Sequence, residues 1–125
     1  MAAIPEKVSQ AWEEREGPIV LSTVDKDGKP NAIYATCVSK FSDEILIVAD
    51  NYFSKTRENI LSGSQGSILF ITKDRQSFQV KGCLEYLKEG TLFEDMKKWN
   101  PKMHPGHAAA ALNVEEVYAG SERLV

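Results

Sequence analysis

Cysteine is scarce. The two in this 125-residue chain, Cys37 and Cys83, stand outside any C-x-x-C pair. They cannot form a disulfide framework or a zinc ribbon, and in a reducing compartment they read as small buried apolar side chains. Long apolar runs are also missing. Residues 18–21 and 67–71 fall far below the roughly 20 residues of a membrane helix, and the opening Met-Ala-Ala-Ile-Pro-Glu-Lys has no signal-peptide apolar region. A cytoplasmic protein without a membrane partner is expected. Positive charge is not in excess: 15 Lys and Arg face 18 Asp and Glu, leaving a net charge of -3. That balance argues against a phosphate-neutralising surface, so nucleic acid is not an expected partner. Neither G-x-G-x-x-G nor G-x-x-x-x-G-K-[ST] occurs, which excludes a Rossmann turn and a P-loop. The two histidines, His104 and His107, share one loop with no Cys or carboxylate at metal spacing and no nucleophile nearby. Neither a metal site nor covalent catalysis is expected.

What remains is an ordinary globular composition, 42% hydrophobic and 26% charged, which suits one domain over residues 1–125. Ile4, Val8, Ala11 and Trp12 recur at helical spacing before the Gly17-Pro18 stop and predict a helix over 4–16. Residues 18–25 and 31–41 are rich in β-formers and flank Lys26-Asp-Gly-Lys29, a hairpin signal. Residues 44–50 read as a third strand. A helix then runs to about Ser62, stopping at Gly63. Residues 66–73 and 77–87 form a second hairpin around Asp74-Arg75-Gln76. Leu92, Phe93, Met96 and Trp99 predict a helix over 91–99, residues 102–108 read as a loop, and 113–119 have the period-two pattern of a last strand. The expectation is a mainly β fold: six mostly antiparallel strands closing into a small barrel that hides its edges, with about three helices. The strand and helix order opposes a doubly wound parallel sheet.

The helix after the third strand has an odd beginning. A helix start carries unpaired N–H groups and partial positive charge, so its first turn favours carboxylates. Here Lys55 and Arg57 precede the first one, Glu58, and Ser54 and Thr56 add hydroxyls. Cations, hydroxyls and amides converging just after a strand end outline a phosphate site. The plainer reading is an exposed helix with Ser54 as its N-cap.

Four ordered stretches decide between these readings: Gly17-Pro-Ile-Val-Leu-Ser-Thr-Val24, Asp27-Gly-Lys-Pro-Asn31, Lys55-Thr-Arg-Glu-Asn-Ile60 and Phe78-Gln-Val-Lys-Gly82. Together they resemble the pyridoxamine 5'-phosphate oxidase-like FMN-binding split-barrel family, particularly its short FMN-binding members. The resemblance is good over residues 5–90 and looser beyond. It implies a split barrel, a homodimer, and an FMN lying between the two chains. Lys55 would neutralise the FMN phosphate, with Thr56 and Ser54 donating hydrogen bonds, and Arg57 would either join them or form a surface ion pair. The flavin ring would lie along Tyr34, Ala35, Thr36 and Cys37 and against Ala49, Asp50 and Asn51, with Asp50 serving the ribityl hydroxyls. Trp99 would reach the neighbouring subunit's flavin or pack in the core. The chain ends without the Arg- and His-rich segment of true pyridoxamine 5'-phosphate oxidases, so that activity is not expected. The implied function is an FMN flavoprotein, either an oxidoreductase or an electron carrier. The alternative is a non-redox protein that uses the barrel crevice for another phosphorylated or porphyrin-like ligand.

Overall fold

The computed structural model describes residues 2–125. Helix α1 spans Glu6–Glu13 and is followed by strands β1 (Ile19–Val24), β2 (Pro30–Ala35), β3 (Val38–Ser42) and β4 (Ile45–Asp50). Helix α2 (Lys55–Leu61) leads into β5 (Gln65–Ile71) and β6 (Ser77–Leu87); α3 (Thr91–Trp99) precedes β7 (Ala108–Ala119) and β8 (Glu122–Arg123). Every strand pairing is antiparallel. The protein is thus mainly β; the described residues form three helices and eight strands, where the sequence pattern suggested six strands.

Two of the differences have clear physical causes. The expected single strand over 31–41 is broken at Thr36-Cys37 into β2 and β3. No Gly or Pro marks the break, because each half has ordinary strand propensity and the turn is imposed by where the halves pair. β7 begins at Ala108 instead of Asn113. Its first four residues are alanines with no accessible surface, so burial on both faces erases the alternation that would announce a strand. The third difference is small: β8 folds back on the end of β7 after Gly120. Cys83 is exposed rather than buried. Its thiol donates to Glu115 Oε2 at 2.9 Å.

The strands pair in the order β2-β1-β5-β6-β7-β4-β3, with β8 beside β7. The first and last strands of this path are consecutive in the chain. The sheet therefore curls until β2 and β3 meet through the Thr36-Cys37 connection, yet they are not hydrogen-bonded to each other. That seam leaves the barrel split.

Packing follows strand parity. On β4, Leu46 and Val48 point into the barrel, where they join Leu21, Ile68, Val80 and Leu112. Ile47 and Ala49 point outward into a second cluster covered by α3 through Met96. β4 is buried on both faces as a result. α1 brings Trp12 against Phe70 in an edge-to-face contact at 5.1 Å, and Phe70 stacks on Phe78. α2 covers the opposite end. Its Asn59 donates to Thr23 Oγ1 at 3.0 Å, and Thr56 Oγ1 accepts from Asn31 Nδ2 at 3.0 Å.

The long β6–β7 ladder shifts register between Lys81 and Gly82. A Cβ on Gly82 would lie 1.9 Å from the Asn113 carbonyl oxygen, so the bulge requires glycine there. Gly82→Ala is expected to lower stability by about 1–3 kcal/mol or more. Urea unfolding of the variant beside wild type checks this; an unchanged midpoint would show that the ladder relaxes freely.

Candidate functional site

The local geometry starts from Asp50, the last residue of β4. Strand parity puts its side chain on the same face as Leu46 and Val48, at the barrel end where the α2 connection leaves. It has no accessible surface. An isolated carboxylate there would be strongly destabilising, and four donors prevent that. Arg57 donates from Nε to Oδ2 at 2.7 Å and from Nη2 to Oδ1 at 3.0 Å. Tyr86 Oη donates to Oδ2 at 2.5 Å, and the Phe53 N–H to Oδ1 at 3.0 Å. Burial alone would push the Asp50 carboxyl up, but the hydrogen bonds from Arg57, Tyr86 and Phe53 outweigh it and hold it below the ordinary carboxylate range. Burial and the neighbouring carboxylate raise the Tyr86 phenol. Asp50 in turn keeps Arg57 charged.

In front of this cluster, along the seam, lies an open cleft of about 500 Å³. Nine of the ten residues singled out from the sequence line it: Tyr34, Ala35, Thr36, Cys37, Ala49, Asn51, Ser54, Lys55 and Thr56. The tenth, Asp50, stands behind the wall with its carboxylate fully engaged. Arg57 pairs with Asp50 and is not among the lining residues. Lys55 is the only Lys, Arg, Asp or Glu on the lining. Its nearest carboxylate, Glu58 Oε1, is 3.8 Å away, and both side chains are largely exposed, a weak pair. α2 is a short helix, and Ser54 makes no side-chain capping bond within it. The capping reading is not what the Ser54 hydroxyl does here.

Sequence reasoning missed five lining residues: Asn31, Ile33, Tyr52, Phe53 and His104. Asn31 and Ile33 come from β2, whose edge away from β1 carries no partner strand. His104 arrives from a distant loop that two buried amides fix in place. Asn51 and Asn100 exchange side-chain hydrogen bonds at 3.1 and 2.9 Å, and Gly106 N–H donates to Asn51 Oδ1 at 3.0 Å. Lys97 Nζ donates to the Pro105 and Gly106 carbonyls. The His104 ring then meets Tyr52, with Nδ1 3.1 Å from the phenol oxygen. No signal in the sequence joins Asn51 to Asn100. Trp99 packs in the cluster under α3, donates Nε1–H to Asp95 Oδ2 at 3.1 Å, and borders a recess of about 420 Å³ that shares Thr36, Cys37 and His104 with the cleft. Among the described residues, no group of three His, Cys, Asp or Glu side chains is placed to hold a metal, and no helix is long and apolar enough to cross a membrane.

The Asp50 cluster makes a pH prediction. Because the folded carboxyl lies below its unfolded value of about 3.9, its stabilisation is complete above that value and is lost as pH falls through the folded one. Wild type should therefore lose more stability between pH 6 and pH 3 than Asp50→Asn, which has no carboxyl to protonate. Urea midpoints across that range check the difference; equal slopes would mean that Asp50 titrates normally.

Comparison with known proteins places this architecture. The sequence profile described as pyridoxamine 5'-phosphate oxidase matches residues 4–120. An uncharacterized protein of Methanocaldococcus jannaschii is 29% identical over 106 residues, covering 80% of this chain and 70% of that protein. HupZ of Group A Streptococcus superposes with a TM-score of 0.83 at 24% identity, over 98% of both chains. An FMN-binding protein of Syntrophomonas wolfei gives 0.79 at 22% identity, over 96% of this chain and 86% of that one. HutZ, described as the heme storage protein of Vibrio cholerae, gives 0.69 at 16% identity, over 94% and 95%. At these identities the solved structures establish the fold alone, and it is a fold on which one relative is described by a flavin nucleotide and another by a heme. With the profile running through all three helices and the first seven strands, the chain belongs to the pyridoxamine 5'-phosphate oxidase family.

Proposed function

We propose that the protein is a flavoprotein that holds FMN in the seam cleft, with the phosphate at Ser54, Lys55 and Thr56 and the ring along β2 and its connection to β3. The observation that carries this reading is the asymmetry of the lining. One end presents a single cation, only weakly paired with the exposed Glu58, beside two hydroxyls. The other is walled by Ala35, Thr36, Cys37 and Ala49, small residues next to the unpaired edge of β2. A flavin has the same polarity: a dianionic phosphate at one end, and at the other a flat ring whose polar edge hydrogen-bonds to main-chain groups that side chains do not shield. The volume lies within the range of small-molecule sites.

The bound flavin would supply hydride or single-electron transfer. This chain's own residues bind and orient it. Lys55 and the hydroxyls fix the phosphate, the β2 edge fixes the ring, and Tyr52 with His104 borders the mouth. The protein is then an oxidoreductase or an electron carrier, and rapid reduction by NADH or NADPH, as against reduction by a protein partner only, separates the two. A second reading has one observation in its favour. His104 puts an imidazole on the cleft wall, and imidazole is a common axial ligand of haem iron. A porphyrin-like ligand held there would make this a binding protein without flavin chemistry. Purified protein that is yellow, or that takes up added FMN, supports the first reading. Protein that ignores FMN but shifts the haemin spectrum, in a way abolished by His104→Ala, supports the second.

Tyr34 and Tyr52, 76% and 71% exposed, flank the cleft, and a second copy of the chain would cover them and complete the site. Wild type should then run at twice the chain mass of 13.9 kDa, and Tyr34→Asp should shift it to the monomer and weaken FMN binding together. Light scattering with a flavin titration measures both; a monomeric wild type that binds FMN normally would refute the shared site.

Charge-assisted hydrogen bonds contribute about 1.5–3 kcal/mol. Lys55→Ala is therefore expected to weaken FMN roughly 10- to 150-fold while sparing riboflavin, with little change in stability because its pairing with Glu58 is exposed. Fluorescence titration with both ligands is the measurement, and equal losses would remove the phosphate from this position.

A further inference from the structure

Arg57 sits two residues beyond the lysine assigned to the phosphate, so a basic side chain there invites the same role. Its geometry gives it a different one. The Nε–H is shared between Asp50 Oδ2 at 2.7 Å and Tyr86 Oη at 3.1 Å, and Nη2 donates to Asp50 Oδ1 at 3.0 Å. Asp50 closes the cluster by accepting the Phe53 N–H. Three elements meet here: the end of β4, the first turn of α2, and β6 through Tyr86. The segment 51–54 between β4 and α2 has no partner strand, and its residues line the cleft. Its shape depends on what ties its two ends together. Asp50 holds one end through the chain and the middle through Phe53, and Arg57 holds the other. The guanidinium is planar and forked, so it can grip a carboxylate edge-on in a way that a lysine cannot.

We propose that Arg57 is a positioning residue: it ties the buried Asp50 carboxylate to Tyr86 and thereby holds residues 51–54 and the first turn of α2 in the shape of the cleft wall, without itself touching the ligand. The proposal rests on the flavin reading for the identity of the ligand, but not for the existence of the tie. It makes Lys55 and Arg57 opposites in function despite their proximity and like charge. Lys55 is exposed, weakly paired and free to meet a phosphate. Arg57 is already neutralised by a carboxylate with no accessible surface.

The two roles separate by ligand and by amide. Arg57→Gln and the milder Tyr86→Phe are titrated with FMN and with riboflavin, and the exchange rate of the Phe53 amide is followed by NMR in the ligand-free proteins. The expected result is that Arg57→Gln weakens both ligands by the same factor, on the order of tenfold. Tyr86→Phe should act in the same direction but less, and the Phe53 amide should exchange faster in both. A loss confined to FMN would overturn the proposal by making Arg57 a phosphate contact. Unchanged affinities in folded protein would overturn it by making the cluster a matter of stability only, as would an unchanged Phe53 amide. If wild type binds neither flavin, the cofactor reading falls, and the Phe53 amide still decides whether Arg57 shapes the segment. Should Arg57→Gln fail to fold with Asp50 left unpaired, Tyr86→Phe and the double variant Asp50→Asn/Arg57→Gln, which leaves no buried charge, carry the same comparison.

Discussion

The structure is governed by a topological constraint at the seam. An eight-stranded antiparallel sheet can curl and bury a core, but its path begins at β2 and ends at β3, and these are joined by only two residues. Strands so connected could pair as a hairpin. Here each instead pairs with a different neighbour, β2 with β1 and β3 with β4, so the short link becomes a corner between two edges. Unpaired strand edges are normally a hazard that proteins cover or blunt. In this protein the β2 edge borders the cleft, whose lining includes Asn31, Ile33, Tyr34 and Ala35.

A cleft of this kind needs a wall that does not collapse, and the wall is built with buried polar groups. Asp50, Asn51, Thr56, Asn59 and Asn100 are all nearly inaccessible, and each has a named partner across elements. Among the described residues, no buried side-chain nitrogen or oxygen lacks a hydrogen bond. That completeness matters because a half-satisfied buried network is worse than an apolar one. The same contacts explain why α2 can be so short. Asn31, Thr23 and Tyr86 anchor it from three strands, so its own propensity contributes little. Polar bonds in the low-dielectric end of the barrel also discriminate against alternative shapes, whereas the exposed Lys55–Glu58 pair does not.

Family membership and function stand on different grounds. The profile match and the superpositions establish the architecture, and the same architecture accompanies proteins described by flavin and by heme. What bears on the ligand is the distribution of charge and bulk around the cleft of this chain. Among the residues that line it, positive charge is confined to Lys55, small side chains line the β2–β3 corner, and an imidazole waits at the mouth. The second nearby cation is cancelled by a buried carboxylate. Ligand chemistry is therefore a property of the lining and not of the fold.

The amino-acid sequence by itself determined the elements whose signals are local. Periodicity marks α1 and α3, Asp27-Gly28 marks the first hairpin, alternation marks most strands, and the Ser54-Lys55-Thr56 cluster after β4 marks one wall of the cleft. It also carried, through four short motifs, enough likeness to indicate the family. The tertiary structure alone decided the rest. Thr36-Cys37 became a corner because its flanking strands pair at opposite ends of the sheet, and Ala108–Ala111 became a strand because both faces are covered. Asp50 turned away from the cleft because Arg57 and Tyr86 meet it inside, and His104 reached the mouth because Asn51 and Asn100 clasp over 49 residues of chain. Each of these depends on contacts between residues distant in sequence, and such contacts leave no periodic or compositional trace in the segments they join.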